Sequence, residues 1–174
     1  MAVVVLNYVK KGAGERATAK ANIKYIENRR GKDGVKIQRP LFHASGQMTR
    51  QQAYALINAA EEGSTFFRIK ISPDPTKEDR EHDLLLREIT ARTMDIEERI
   101  GKPVAWVAAI HDDHTPKRHI HVLAVTKARK LPAPEMIQTA TDVCKEQRQE
   151  LDLVRQQELE QGGERNIWER ERSK

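Results

Sequence analysis

An α/β (α+β) domain, a central antiparallel β-sheet with helices packed on it and a long helix at the C-terminal end, is the fold class this sequence predicts. Three observations lead there. Residues 104–110 and 119–125 are two strongly apolar, β-branched runs joined by a short polar linker, the pattern of an antiparallel hairpin. Residues 66–71 alternate, with Phe67, Ile69 and Ile71 on one face and Phe66, Arg68 and Lys70 on the other, the period of a strand. Residues 135–160 place Ile137, Ala140, Cys144, Gln147, Leu151 and Val154 three and four apart, a narrow helical stripe suited to docking on a sheet or a partner helix.

The remaining elements follow in chain order. Residues 2–8 are a β-branched run and read as a strand, followed by a basic, Gly-containing loop over 10–15. Thr18 is placed to cap a helix over 19–28 that carries Tyr25 and ends at Arg29-Arg30-Gly31. Residues 32–47 read as mostly irregular. Thr49 and Gln52 form a Thr-x-x-Gln capping box for a helix to about residue 61, with Gly63 as its stop. Leu84, Leu85, Ile89, Ile96 and Ile100 recur at helical spacing, so one helix is expected over 76–100, ended by Gly101 and Pro103. Gly162-Gly163 is expected to break the last helix and leave a frayed, charged tail.

The chain has 174 residues, about one domain's worth, and divides into a catalytic domain over 1–130 and a C-terminal helix with a charged tail over 131–174. No apolar run approaches membrane-spanning length and no signal-peptide pattern is present, so a cytoplasmic protein is expected. Cys144 is the only cysteine, which excludes an internal disulfide and every multi-cysteine metal site. A metal must therefore be held by His, Asp or Glu. The net charge is +5, but eleven of the 31 Lys and Arg and only three of the 26 Asp and Glu fall in residues 1–50, a local +8 against −3 elsewhere. Such a gradient points to a polyanion at one end of the domain.

Four of the six histidines, His111, His114, His119 and His121, lie within eleven residues. His119 and His121 share one face of their strand, continued by Leu123 and Val125, and a hairpin brings His111 beside them. Three imidazoles from adjacent strands suit one divalent ion with open positions for a substrate oxygen and water. His114 is the rival third ligand, and Asp113 is either a carboxylate orienting an imidazole or a turn residue.

His111, seven intervening residues and His119-Ile120-His121, preceded by the strand Trp106-Val107-Ala108-Ala109-Ile110, resemble the His-hydrophobic-His motif of HUH-superfamily single-strand endonucleases, and in particular the third motif of MOB-type plasmid mobilisation relaxases. Residues 19–26, behind the basic loop, are similar to the first motif of that family, which holds the nucleophilic Tyr. Residues 67–73 are similar to its second motif. The resemblance covers about residues 1–127 and implies an HUH relaxase-like palm. It also implies Tyr25 as the nucleophile that nicks one DNA strand at a plasmid transfer origin, and His111, His119 and His121 as ligands of a divalent metal, Mg or Mn with Zn as an option. Single-stranded DNA at that origin and accessory relaxosome proteins are the implied partners, in conjugative mobilisation.

Three tyrosines compete for the nucleophile role. Tyr8 ends the first strand, and Tyr54 sits among Ala and Leu in a helix, where an aromatic is usually core. Tyr25 is surrounded by Lys20, Lys24, Arg29 and Arg30, which attract phosphate and favour phenolate. Those four, with Lys10, Lys11, Arg16 and Arg39, are the candidate DNA-backbone contacts. Asp74, Glu78 and Asp79, after the second expected strand, are candidate acid/base or histidine-orienting groups, and His43 is a loop histidine better suited to structure than to DNA. Alternative functions are an HUH-type replication initiator or transposase, a three-His zinc hydrolase acting on a small substrate, and a non-catalytic DNA-binding accessory protein.

Overall fold

The computed structural model describes residues 1–31, 33–73, 84–112 and 118–172, with side chains as far as 160. Among the described residues, six strands and five helices run in the order β1 (Val3–Tyr8), α1 (Glu15–Asn28), β2 (Leu41–His43), β3 (Gly46–Met48), α2 (Arg50–Asn58), β4 (Thr65–Ser72), α3 (Leu86–Met94), α4 (Glu97–Ile100), β5 (Val104–His111), β6 (His119–Thr126) and α5 (Ala133–Arg172). The strands form one antiparallel sheet in the order β1-β4-β6-β5-β2-β3. The expected α/β class is therefore what the chain adopts, with the β5–β6 hairpin near its centre.

Strand periodicity separates two apolar layers, one on each face. On the first face Val107, Ala109, Leu123, Val125 and Phe66 meet Ala19, Ile23 and Ile26 of α1 and Ala53 and Ile57 of α2. On the second, Phe67, Ile69, Ile71, Trp106, Ala108, Ile120, Val122 and Ala124 meet Ile89 and Met94 of α3 and Met136, Ala140, Val143 and Cys144 of α5. The stripe expected on α5 docks on the sheet over its first half; Gln147 in that stripe accepts from Leu85 N at 2.8 Å and donates to Glu88 at 3.0 Å. Val154, the last stripe position, is exposed, since α5 has by then passed the sheet.

Several boundaries differ from the sequence expectation for physical reasons. Helix α1 starts a turn early: Gly14 is its N-cap, and the Thr18 hydroxyl donates back to the Gly14 carbonyl at 3.0 Å instead of capping. Residues 32–47 contain β2 and β3, each of three residues and too short to show a period. The capping box of α2 is present in both directions, with Gln52 N donating to Thr49 at 3.2 Å and Thr49 N to Gln52 at 2.7 Å, but the helix ends at Asn58. In place of one helix over 76–100, α3 and α4 are separated at Asp95 and Ile96, and residues 76–83 lie outside the described residues. Apolar spacing persists across that break because Met94 and Ile96 both bury in the same layer. The backbone of α5 runs helically through Gly162-Gly163; a helical Gly costs only about 1 kcal/mol relative to Ala, and the neighbouring Gln, Glu and Arg are strong helix formers.

Candidate active site

The first face of the sheet carries the titratable residues because of register. In β5–β6, His111 pairs with His119 and Ala109 with His121, while β4 sets Lys70 opposite His121 and Arg68 opposite Leu123. On the far side of β4, Val5 and Asn7 of β1 oppose Lys70 and Arg68. All of these positions have the same parity and point to the layer under α1. Helix α1 is seated there by Ala19, Ile23 and Ile26, which turns Tyr25 toward β6.

The three imidazoles form one cluster. Ring centroids are 4.6 Å apart for His111 and His121, 5.0 Å for His119 and His121, and 5.5 Å for His111 and His119, and one ligand nitrogen from each lies within 4.8 Å of the others. Among the described residues this is the group able to share a metal ion. Its chemistry fits that use. His111 is fully buried and its Nε2–H donates to the Ile26 carbonyl at 2.7 Å, which sets the tautomer and leaves the Nδ1 lone pair as ligand. Nε2 of His121 is buried and makes no hydrogen bond. Burial, then the neighbouring His111 and His119, then Arg29 and Lys70 push the pKa of His121 down to about 3, so it is neutral and able to ligate near pH 7.

Tyr25 stands at the mouth of this cluster. Its ring meets His121 edge-on, with centroids 6.4 Å apart, and remains 48% exposed, so the side chain is reachable from solvent while its ring faces His121. The Arg29 guanidinium lies 5.5 Å from the Tyr25 ring centroid, a cation–π contact. A cleft of about 380 Å³ joins Tyr25 and His121 with Asn7, Asn22, Arg68 and Lys70.

The other tyrosines lie elsewhere. Tyr8 has the parity of Val4 and Leu6, on the sheet face opposite the histidines, and pairs with Phe67, three strand positions from Lys70. Tyr54 packs at the edge of the α1–α2 layer with Lys20 Nζ 5.7 Å from its ring centroid.

The basic residues of the first fifty positions separate into two sets. Lys10 and Lys11 are exposed in the loop after β1, and Lys24 is exposed beside Tyr25 on α1. Arg16 is committed to α2, donating to the Asn58 carbonyl at 2.8 Å and the Ala60 carbonyl at 2.5 Å, where it neutralises the helix C-terminus. Arg30 donates to the Gly34 carbonyl at 2.8 Å. Arg39 corrects the expectation of a DNA contact: it is 4% exposed and donates to the Arg29 carbonyl at 2.7 Å, bracing the end of α1 from within. His43 ends β2 and stacks, tilted, on Trp106 with centroids 4.7 Å apart, a structural position. Asp74, Glu78, Asp79, Asp113 and His114 lie outside the described residues.

Arg68, Lys70, Asn7 and Asn22 were not singled out by the sequence. The alternation of β4 does put Arg68 and Lys70 on one face, but only the register opposite His121 shows that this face is the site. No helix among the described residues is long and apolar enough to cross a membrane. Comparison with protein-family models, with curated proteins and with solved structures finds no match for this chain.

Proposed function

We propose that this chain is a relaxase: a site-specific, metal-dependent single-strand DNA endonuclease that attacks the scissile phosphate at a plasmid transfer origin through Tyr25 and so initiates conjugative mobilisation. The observation that carries the reading is that Tyr25, from α1, and His121, from the β5–β6 hairpin, line one solvent-open cleft with Arg68 and Lys70, and that His121 clusters with the buried His111 and His119 behind it. A motif resemblance in sequence does not by itself require that convergence.

The residues can divide the chemistry as follows. Tyr25 Oη gives up its proton to solvent as it forms the bond to phosphorus, the P–O3′ bond breaks, and the 3′ oxygen takes up a proton from solvent to leave as a hydroxyl. The 5′ phosphate stays on Tyr25. One phosphodiester replaces another, so the reaction needs no nucleotide and runs backward to reseal the strand. A free phenol is a weak nucleophile, so the attack depends on removal of its proton as the bond to phosphorus forms. A divalent cation on the three histidines would supply Lewis-acid stabilisation to the phosphoryl oxygens. An all-imidazole donor set suits Mn²⁺ or Zn²⁺ better than Mg²⁺, which prefers oxygen ligands. Lys70, directly across from His121, and Arg68 are placed to hold phosphate oxygens in the cleft, and accessory relaxosome proteins would present the strand unpaired.

The test is covalent capture. The protein is incubated with a single-stranded oligonucleotide carrying the transfer origin of its own replicon and Mn²⁺ or Mg²⁺, and the products are separated under denaturing conditions. The expected result is a protein–DNA adduct, lost in Tyr25→Phe and mapped by mass spectrometry to Tyr25. An adduct that survives Tyr25→Phe and disappears in Tyr54→Phe would refute the assignment. Metal-dependent ester hydrolysis without an adduct would favour the small-molecule hydrolase, and binding without cleavage the accessory protein.

A further inference from the structure

Tyr25 is the shared wall of two depressions. One is the histidine cleft; the other, of about 500 Å³, lies on the opposite side of the Tyr25 ring and is lined by Ala21, Lys24, Asn28, Lys36 and Arg50. Three of those residues are cationic, and they come from three separate parts of the chain. Positions 21, 24, 25 and 28 are one face of α1, where the small Ala21 leaves room and Lys24 projects. Lys36 is held there by an isolated antiparallel bridge to Arg30, reinforced by Gly31 N donating to the Val35 carbonyl at 2.8 Å.

Arg50 opens α2 and is oriented by its ion pair with Glu27, whose buried carboxylate also accepts from Asn28 Nδ2 at 3.0 Å. Glu27 is thus paired and buried, and no carboxylate lines the depression among the described residues. The surface left facing solvent is Lys24 and Lys36 with the edge of a fixed guanidinium, a net positive pocket with no competing acid. Its polar, open character fits a phosphodiester better than an apolar ligand.

We propose that the depression formed by Lys24, Lys36 and Arg50 is a phosphate-binding subsite for single-stranded DNA, holding the strand next to the scissile phosphate on the side of Tyr25 away from the histidines. The strand then crosses α1 at Tyr25, with Arg68 and Lys70 gripping it in the cleft and Lys24, Lys36 and Arg50 gripping it beyond. Anchoring on both sides fixes the phosphate between the phenol and the histidines, and it retains the strand on the side opposite the break after cleavage. This subsite rests on the proposed relaxase reading for its role but not for its existence.

The experiment separates the two. Binding of a fluorescein-labelled oligo(dT) 20-mer, which contains no nick site, is followed by anisotropy across a salt series for the wild-type chain, the Lys24→Ala/Lys36→Ala double variant and a charge-matched control, Lys102→Ala/Lys145→Ala. Arg50 is left in place because its loss would expose the buried Glu27 charge. Each single-strand phosphate contact contributes about 0.7 to the slope of log K against log salt, so the double variant should lose about 0.7–1.4 of slope and bind roughly 10-fold more weakly near 0.1 M salt. The control should match wild type. Wild-type affinity and slope in the double variant would overturn the subsite, as would an equal loss in the control, which reports net charge alone. Lys24/Lys36-dependent oligo(dT) binding with no adduct at the transfer origin would leave the subsite standing and remove the relaxase reading. An adduct combined with unaltered binding by the double variant would do the reverse.

Discussion

Replacing Ile23 by Ala removes three carbons from a side chain with no exposed surface, on the face of α1 that meets Val107, Ala109 and Leu123. The transfer loss is about 2.4 kcal/mol at roughly 0.8 kcal/mol per buried carbon. A residual void of about 60 Å³ adds about 1.4 kcal/mol at roughly 24 cal/mol per Å³, giving about 3–4 kcal/mol in all, inside the usual range for such truncations. For a domain of this length that lowers Tm by about 7–15 °C. The measurement is a urea titration followed by tryptophan fluorescence, in which Trp106, 4% exposed against the second apolar layer, reports the core. With a urea m-value of about 2 kcal/mol/M, the midpoint should fall by about 1.5–2 M. Tyr25→Phe, two residues on and half exposed, should change stability by less than about 0.5 kcal/mol. The contrast matters for function: Ile23 seats the helix and Tyr25 uses the seating. A loss below about 1 kcal/mol for Ile23→Ala would mean that α1 does not pack on the hairpin as described, and the convergence of Tyr25 with the histidines would fall with it.

Three further outcomes are expected. Thr49→Ala removes a reciprocal capping box at an exposed helix start and should cost about 1 kcal/mol in the same titration. For His121 the folded pKa of about 3 lies below the ordinary value of 6.5, so between those values the unfolded chain binds the extra proton. Its contribution is therefore fully present above about pH 6.5 and is lost as pH falls toward 3; urea midpoints at pH 7.5, 5.5 and 4.5 should decline in wild type and decline less steeply in His121→Ala. Mn²⁺ at 100 times its dissociation constant should stabilise the chain by about 2.7 kcal/mol, raising Tm by about 5–11 °C in thermal-shift assays. That shift should vanish on chelation and in His119→Ala/His121→Ala; a shift retained in the double variant would place the metal elsewhere.

What the sequence made legible was periodic or local. His119 and His121 share a face by arithmetic alone, and the hairpin around them follows from two β-branched runs and a polar linker. The capping box at Thr49 is a contact within four residues and was readable for the same reason. Lys70 opposite His121, Asn7 opposite Arg68, and Ile26 accepting from His111 join segments 51–85 residues apart, and no local pattern encodes such pairings. Charge was the least reliable guide. Arg39 and Arg16 have the same composition signal as Lys24, yet one is buried on the end of α1 and the other closes the C-terminus of α2. Guanidinium groups satisfy stray carbonyls as readily as phosphates, so the basic excess of the first fifty residues overstates the number of groups that face a polyanion.

The position of the site follows from where helical cover stops on the first sheet face. Over β5 and the distal half of β6, α1 and α2 bury Val107, Ala109, Leu123 and Val125, and a histidine at that margin is desolvated and kept neutral. Over β4 and β1 the same face is open, with Val3, Val5, Arg68 and Lys70 exposed, and cations there stay hydrated and charged. Tyr25 lies on the boundary, its ring against His121 and its surface half in water. Metal ligation needs the dry side, because a protonated imidazole cannot ligate, and a nucleic-acid backbone needs the wet side, because it is too large and too charged to enter a core. In the proposed reaction the nucleophile must touch both, and Tyr25, near the end of α1, stands where it can.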